Sequence, residues 1–367
     1  MPSLFDPLTL RGLTLRNRIG VSPMCQYSSE DGVANDWHFV HLGSRAVGGA
    51  GLVMVEATAV APRGRISPQD MGIWSDAHVE PLARIARFVF AQGAAPGIQL
   101  AHAGRKASVT RPWEGDRPLT DDEGGWSIVG PSPIPFKEGW REPVAMTAED
   151  IAEFLAHMQA ATRRALAAGF RWIELHAAHG YLLHSFYSPL SNRRDDEYGG
   201  AFENRVRLTL QAVRAIRKEW PDDLPVAVRI SGTDWIEGGW TVEDSIALAR
   251  RLGDEGADIV DCSSGGNVAA ATIPAGAGYQ VPIAEAVKRG SGLPTIAVGM
   301  ISDPMQADQI IRNGQADMVL LAREELRDPY WPIHAAKALG QSELVPVPVQ
   351  YGRAFTGRRS PGVRGQS

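Results

Sequence analysis

The chain has 367 residues, 44% of them hydrophobic and 22% charged, and a formal net charge of -5. Those proportions belong to a globular chain, and the negative balance leaves no basic footprint for nucleic acid and no polybasic membrane patch. Cys25 and Cys262 are its two cysteines, too few for a disulfide framework or for an iron–sulfur cluster held by about four thiolates, and suited to a reducing compartment. The amino terminus lacks the basic-then-apolar pattern of a secretory signal, and no apolar run reaches the roughly 18–20 residues of a membrane span. A soluble, cytoplasmic protein is expected.

In chain order, β-rich runs fall at Ile19–Met24, Leu52–Thr58, Gly97–Ala101, Trp172–His176, Pro225–Ile230, Asp258–Cys262, Pro294–Gly299 and Asp317–Ala322. Leu52–Val55 and Met318–Leu321 are apolar without alternation, the mark of parallel strands buried on both faces. The intervening segments read as helices. Thr147–Asp150 caps a stripe of Ile151, Phe154, Leu155, Met158, Ala161 and Ala165 that ends at Gly169; Thr241–Asp244 repeats the signal, and Ser302-Asp303-Pro304 opens another helix. Eight strand–helix units predict a parallel (β/α)8 barrel, the TIM barrel, as a single domain over residues 1–345.

About 250 residues suffice for such a barrel. Part of the surplus is Arg105–Met146, rich in Gly, Pro, Asp and Trp and too long for a simple connection. It reads as an excursion after the third strand, covering the carboxyl face, with a hairpin around Ile128–Ile134. The rest is a tail, residues 346–367, whose run from Gly357 to Gly362 reads as disordered.

Active sites of this architecture lie at the carboxyl ends of the strands. Those ends carry Met24-Cys25, Glu56-Ala57-Thr58, Gln99, His176, Arg229, Gly299 and Arg323. Cys25 alone reads first as an ordinary buried thiol, and Gln99 serves a neighbouring loop as readily as a ligand. Arg229, set among Val226–Ile230, needs an anionic partner, and a bound anion is the favoured reading. Gly299, the helix start at Ser302-Asp303 and the charge of Arg323 together suggest a phosphate cradle.

The densest signal is Trp172 to Tyr181, an apolar run ending in His176 and His179, followed at once by Gly180 and Tyr181. Two imidazole N–H donors and a phenol suit an oxygen that gains charge and an atom that needs a proton. A metal site on His176 and His179, with His184 or Cys25 as third ligand, would make the chain a metal-dependent barrel hydrolase or aldolase. It lacks the catalytic His-Glu-x-x-His spacing and is the lesser reading. His38 and His41 are also three apart, but they fall on the first predicted helix and read as packing.

Taken in order, these strand ends resemble the old yellow enzyme family of flavin-dependent ene-reductases, in its bacterial branch with a cysteine near the flavin. The resemblance rests on Asn17-Arg18-Ile19, Pro23–Tyr27, Glu56–Val60, Gln99–Lys106, Glu174–Leu182 and Asp196–Arg205. It runs from about Leu4 to Phe355, and the joint order and spacing of the motifs are far more specific than any one of them.

The resemblance implies non-covalent FMN at the carboxyl face, lined by Pro23, Met24, Cys25 and Ala57. Gln99 would meet its pyrimidine edge, Arg229 its N1–O2 side, and Gly299-Met300 with Ala322-Arg323 its phosphate. His176 and His179 would bind the substrate oxygen, Tyr181 would supply a proton, Tyr27 would assist binding, and Cys25 would tune the flavin. NADPH is the implied hydride donor, with NADH as the alternative, and no metal is implied. The implied substrates are activated alkenes: α,β-unsaturated ketones and aldehydes, nitroalkenes and maleimides. A homodimer or homotetramer is implied, with Arg353 reaching a neighbouring subunit's site. Ala322 stands where many members have glycine. The related dienoyl-CoA reductases add a cysteine-ligated cluster, which two cysteines cannot supply. A flavin-binding protein without turnover is the alternative outside enzymes.

Overall fold

The computed structural model describes Met1–Phe355. Eight strands close a barrel in sequence order: β1 (Ile19–Val21), β2 (Leu52–Ala59), β3 (Ala95–Ala101), β4 (Trp172–Ala177), β5 (Val226–Ser231), β6 (Ile259–Ser263), β7 (Thr295–Ala297) and β8 (Met318–Leu321). Every neighbouring pair is parallel. A principal helix follows each strand: α1 (Asp36–Val47), α2 (Val79–Ala91), α3 (Ala148–Ala167), α4 (Arg207–Glu219), α5 (Val242–Asp254), α6 (Val281–Ser291), α7 (Pro304–Arg312) and α8 (Trp331–Ala338). Thr147 and Thr241 cap α3 and α5 by accepting from the backbone N–H groups of Asp150 and Asp244, so the predicted capping boxes form as read. The TIM barrel expected from the run of apolar strands is the fold.

Alternation along each strand sorts the interior into layers. At the amino end Leu52, Met54, Trp172, Ala227, Ile259, Ile296, Met318 and Leu320 form a dry cluster, closed from below by Leu8 and Leu15 of a short antiparallel ladder. The same inward period continues on β4 to Glu174 and His176, on β5 to Arg229 and on β6 to Asp261 and Ser263. On β2 the register shifts between Val55 and Ala57. That bulge carries Glu56, whose carboxylate accepts from Gln26 N–H at 2.7 Å and lies 3.4 Å from His38 Nε2 on α1. The extra residue leaves Ala57 paired with Gln99 of β3.

The excursion does cover the carboxyl face. Val109 and Ile128 pack with Ala103 and Ala107 against Cys25, Tyr27 and Tyr181. Its predicted hairpin is absent: Val129–Gly130 pairs with Val144–Ala145, and the ladder is parallel. A parallel pair needs a long return rather than a tight turn, and residues 131–143 provide it. In the tail, a turn at Val349–Tyr351 and a short helix at Gly352–Phe355 are formed; the run predicted as disordered, Gly357 to Gly362, lies outside the described residues. Among the described residues no helix is long and apolar enough to cross a membrane.

Candidate active site

Three rings meet above β4. His176 packs edge-on against His179 with centroids 5.2 Å apart and against Tyr181 at 5.0 Å. His179 holds a left-handed backbone, φ 60°, unusual for a residue with a Cβ. Three contacts hold it there: its N–H donates to Ser231 Oγ at 2.9 Å, its carbonyl accepts from Lys106 Nζ at 2.9 Å, and its Nε2 meets Ser263 Oγ at 2.7 Å. Lys106 also donates to the Gly266 carbonyl at 3.1 Å and lies over the Tyr181 ring at 5.1 Å, tying the β4 and β6 loops together under one ammonium.

Burial sets the protonation of this group. It pushes His176 and His179 well below the ordinary imidazole range, with the Arg229 guanidinium acting in the same direction, so both rings are neutral near pH 7. Burial pushes Tyr181 up, keeping its phenolic proton, and lowers Lys106 to about 8. It also raises the Cys25 thiol, with Glu56 and Asp70 adding to the effect. A neutral thiol is a poor nucleophile.

A cavity of about 340 Å³ opens beside the rings. Arg229, Ser263, Gln280, Gly299, Met300, Ala322 and Arg323 are among its lining residues. Gly299 has φ 119°, and a Cβ there would meet Gln280 Nε2 at 2.8 Å, so the turn is closed to side chains. Among the described residues the Arg323 guanidinium makes no hydrogen bond or ion pair. A tight turn, an unpaired guanidinium and a cavity of this size fit a phosphate-bearing cofactor such as FMN.

The segment leading into α7 reaches this cavity through Ile301 and Ser302. Asp303 caps the helix by accepting from Gln306 N–H at 2.9 Å, so a carboxylate already occupies the position the sequence offered to phosphate. Ala57, His176 and Tyr181 line a small adjoining cleft together with Asp70 and Ile66. Pro23, Met24, Cys25 and Gln99 line neither space. Cys25 and Tyr27 instead pack under the excursion beside Tyr181.

Two partners differ from the sequence reading. The anion beside Arg229 is internal: Nε lies 3.1 Å from Asp261 Oδ2, while Nη1 donates to Ser22 Oγ at 3.0 Å. Gln99 Nε2 donates to Glu174 Oε1 at 2.7 Å. His184 stands apart from the ring trio. Its Nδ1 accepts from Gly180 N–H at 2.9 Å, its Nε2 lies 2.9 Å from Asp234, and its ring stacks on Tyr187. His38 and His41 are buried in the packing of α1, as read. Lys106, Ser263, Gln280, Glu174 and Asp261 were missed. For Glu174 and Asp261 a signal existed, a charged residue at an inward strand position.

A parallel barrel with a cofactor-sized, cationic cavity and a neutral histidine pair at its carboxyl mouth is the frame of a flavin oxidoreductase. The chain belongs to the NADH:flavin oxidoreductase / NADH oxidase family, which it matches over residues 3–342. It is 50% identical to an NADPH dehydrogenase of Geobacillus sp. (strain WCH70), over 96% of this chain and 98% of that one. It is 46% identical to an NADPH dehydrogenase of Bacillus subtilis (strain 168), over 96% and 99%. Among solved structures, morphinone reductase in complex with tetrahydroNAD is similar at 26% identity and a TM-score of 0.77, covering 93% of this chain and 92% of that one. An old yellow enzyme homologue from Zymomonas mobilis is similar at 26% and 0.76, covering 92% and 93%. The protein is an FMN-dependent NADPH oxidoreductase of the old yellow enzyme type.

Proposed function

We propose that the enzyme reduces the carbon–carbon double bond of alkenes conjugated to a carbonyl or nitro group, including enones, enals, nitroalkenes and maleimides. The observation that carries this reading is the ring trio itself, the neutral His176 packed against both the neutral His179 and the protonated Tyr181 beside a cofactor-sized cavity. Bound FMN supplies the transfer of hydride from NADPH, or less readily NADH, to the alkene. The residues supply the rest.

His176 and His179 hold the substrate oxygen and stabilise the negative charge it gains as the double bond is reduced. A donor aimed at a developing oxyanion lowers the barrier by on the order of 3–4 kcal/mol. The buried Nδ1 of His176 has no partner. His179 shares its Nε2 with Ser263, whose hydroxyl has a second acceptor in Gln280 Oε1 at 3.4 Å, so the serine can turn and release the imidazole. Tyr181 delivers the proton to the other alkene carbon as general acid, and Tyr27 lines the substrate's path.

Ala57, at the edge of the adjoining cleft, and Pro23, Met24, Cys25 and Gln99 would hold the flavin ring once FMN is bound. Arg229 would balance negative charge on the ring, and Gly299, Met300, Ala322 and Arg323, which line the same cavity, would hold its phosphate. The chain works as a homodimer or homotetramer, with the exposed Arg353 reaching a partner's site. Anaerobic rapid mixing tests the reading. The purified protein should be yellow, be bleached by NADPH, and recover its colour on addition of cyclohexenone. Reduction by NADPH with no recovery across enones, nitroalkenes and maleimides would leave a flavin protein without this activity.

A further inference from the structure

Beneath the cavity the barrel holds two acidic side chains and one basic one in a fully buried layer. Glu174 and Asp261 have no exposed surface, and Arg229 is 6% exposed. Asp261 pairs in register with Arg229 across β5 and β6, and Glu174 pairs with Gln99 across β3 and β4. One guanidinium balances one carboxylate. A second ionised carboxylate here would be an uncompensated buried charge, which costs several kcal/mol.

The hydrogen bonds make the same point. Glu174 Oε2 and Asp261 Oδ1 are buried without a hydrogen-bond donor, and Asp261 Oδ2 has only the Arg229 Nε at 3.1 Å. Each acid thus keeps a carboxylate oxygen with no donor, a costly state for an ion and a lesser one for a neutral carboxyl. We infer that Glu174 and Asp261 hold a single shared proton against Arg229, so that this layer is neutral and the side chains of Gln99 and Arg229 are fixed.

Electrostatics agrees in direction. Burial raises both acids; the Asp261 charge raises Glu174 further, and the Arg229 guanidinium acts to lower both. A proton on Glu174 Oε2 leaves Oε1 to accept from Gln99 Nε2 at 2.7 Å. The Gln99 amide is thereby turned with its oxygen free for an N–H donor. Glu174 and Asp261 are positioning residues: they act on the cofactor through Gln99 and Arg229. The groups facing the pair are Gln99 on β3, Arg229 on β5 and, one turn of the pleat higher on β4, the neutral His176.

This inference rests on the proposed placement of Arg229 only in its second readout. FMN content is first read by absorbance in wild type, Glu174→Gln, Asp261→Asn and the double variant, so loss of the flavin site is recognised separately. The first readout is difference infrared spectroscopy at pH 7. If the proton is shared, each single variant loses one protonated-carboxyl C=O band, because the remaining acid ionises against Arg229. The buried Glu325 carboxyl is common to all the samples and cancels. A band kept in both variants, or lost in Glu174→Gln and kept in Asp261→Asn, overturns the shared proton.

The second readout is the preference for reduced over oxidised FMN. Either single variant should change it less than ~3-fold. The double variant leaves Arg229 unbalanced and should raise it ~10-fold or more, where tenfold is 29.6 mV for a two-electron couple. Single effects as large as the double one, or effects that simply add, overturn the proposal. If the double variant does not fold, the infrared spectra of the single variants decide the matter alone.

Discussion

Trp172 and His176 lie on one face of β4, four residues apart, in opposite surroundings. Trp172 sits in the amino-end cluster with Met54, Ile296 and Met318, where nearly every neighbour is apolar. His176 sits among Arg229, Lys106, His179 and Tyr181, where buried polar atoms lack partners. Dispersion and dehydration hold the floor of the barrel, and both grow with contact area. The mouth is held by hydrogen bonds to loops and keeps unsatisfied groups, which a folded chain tolerates only where something else stabilises it. One strand thus divides its labour by height, with Glu174 at the boundary.

The largest expected effect breaks the mouth and spares the floor. His176→Ala and His179→Ala should each lower the rate of alkene reduction by about 10²–10³-fold, roughly 3–4 kcal/mol of transition-state stabilisation. FMN content and the urea midpoint should change little. Phenol binding to the oxidised enzyme, which uses the same donors, should be lost in the double variant. Unchanged phenol affinity there would remove the oxyanion role from the pair.

The converse substitution, Trp172→Ala, should break the floor and spare the mouth. A buried aromatic truncated to alanine costs about 3–5 kcal/mol. The Trp172 indole N–H is buried without a partner, so deleting it recovers part of the loss and the cost should fall near 3 kcal/mol. Urea unfolding measures it. Under native conditions the variant's flavin should keep its visible spectrum and its rate of reduction by NADPH. A variant that stays folded and loses FMN would show that the two layers are coupled.

The floor was the more legible of the two in the sequence. Strands buried on both faces are written as uninterrupted apolar runs, and the runs located all eight barrel strands. Boundaries were less clear: β1 stops at Val21, short of the predicted Met24, because the chain leaves the ladder ahead of Pro23, which has no N–H to donate. At the mouth, His176, His179, Tyr181, Arg229 and Arg323 were readable because each stands at or just beyond a strand end. Glu174 and Asp261 were passed over because each lies inside an apolar run, although their parity matches that of the inward residues His176 and Ser263. Lys106 had no period to betray it, since it lies on a single turn after β3. Asp303 illustrates a real ambiguity: an acidic residue before a proline marks a helix start without saying whether its own carboxylate or a phosphate will fill it.

Cys25 sharpens the boundary with the smallest effect. Its thiol is held neutral by burial and by the nearby Glu56 and Asp70, so it has little thiolate to offer at pH 7 and little to contribute as a nucleophile. What remains is a polarisable sulfur packed with Tyr27 and Tyr181 under the excursion. Cys25→Ala should therefore retain alkene reduction within about tenfold, while the preference for reduced over oxidised FMN shifts by no more than about tenfold, the scale on which a neighbouring dipole tunes a cofactor. Redox titration of the bound FMN alongside steady-state turnover reads both. Complete loss of turnover in a folded, FMN-loaded variant would make the thiol a participant in bond formation and place it with the histidines, not with the packing around them.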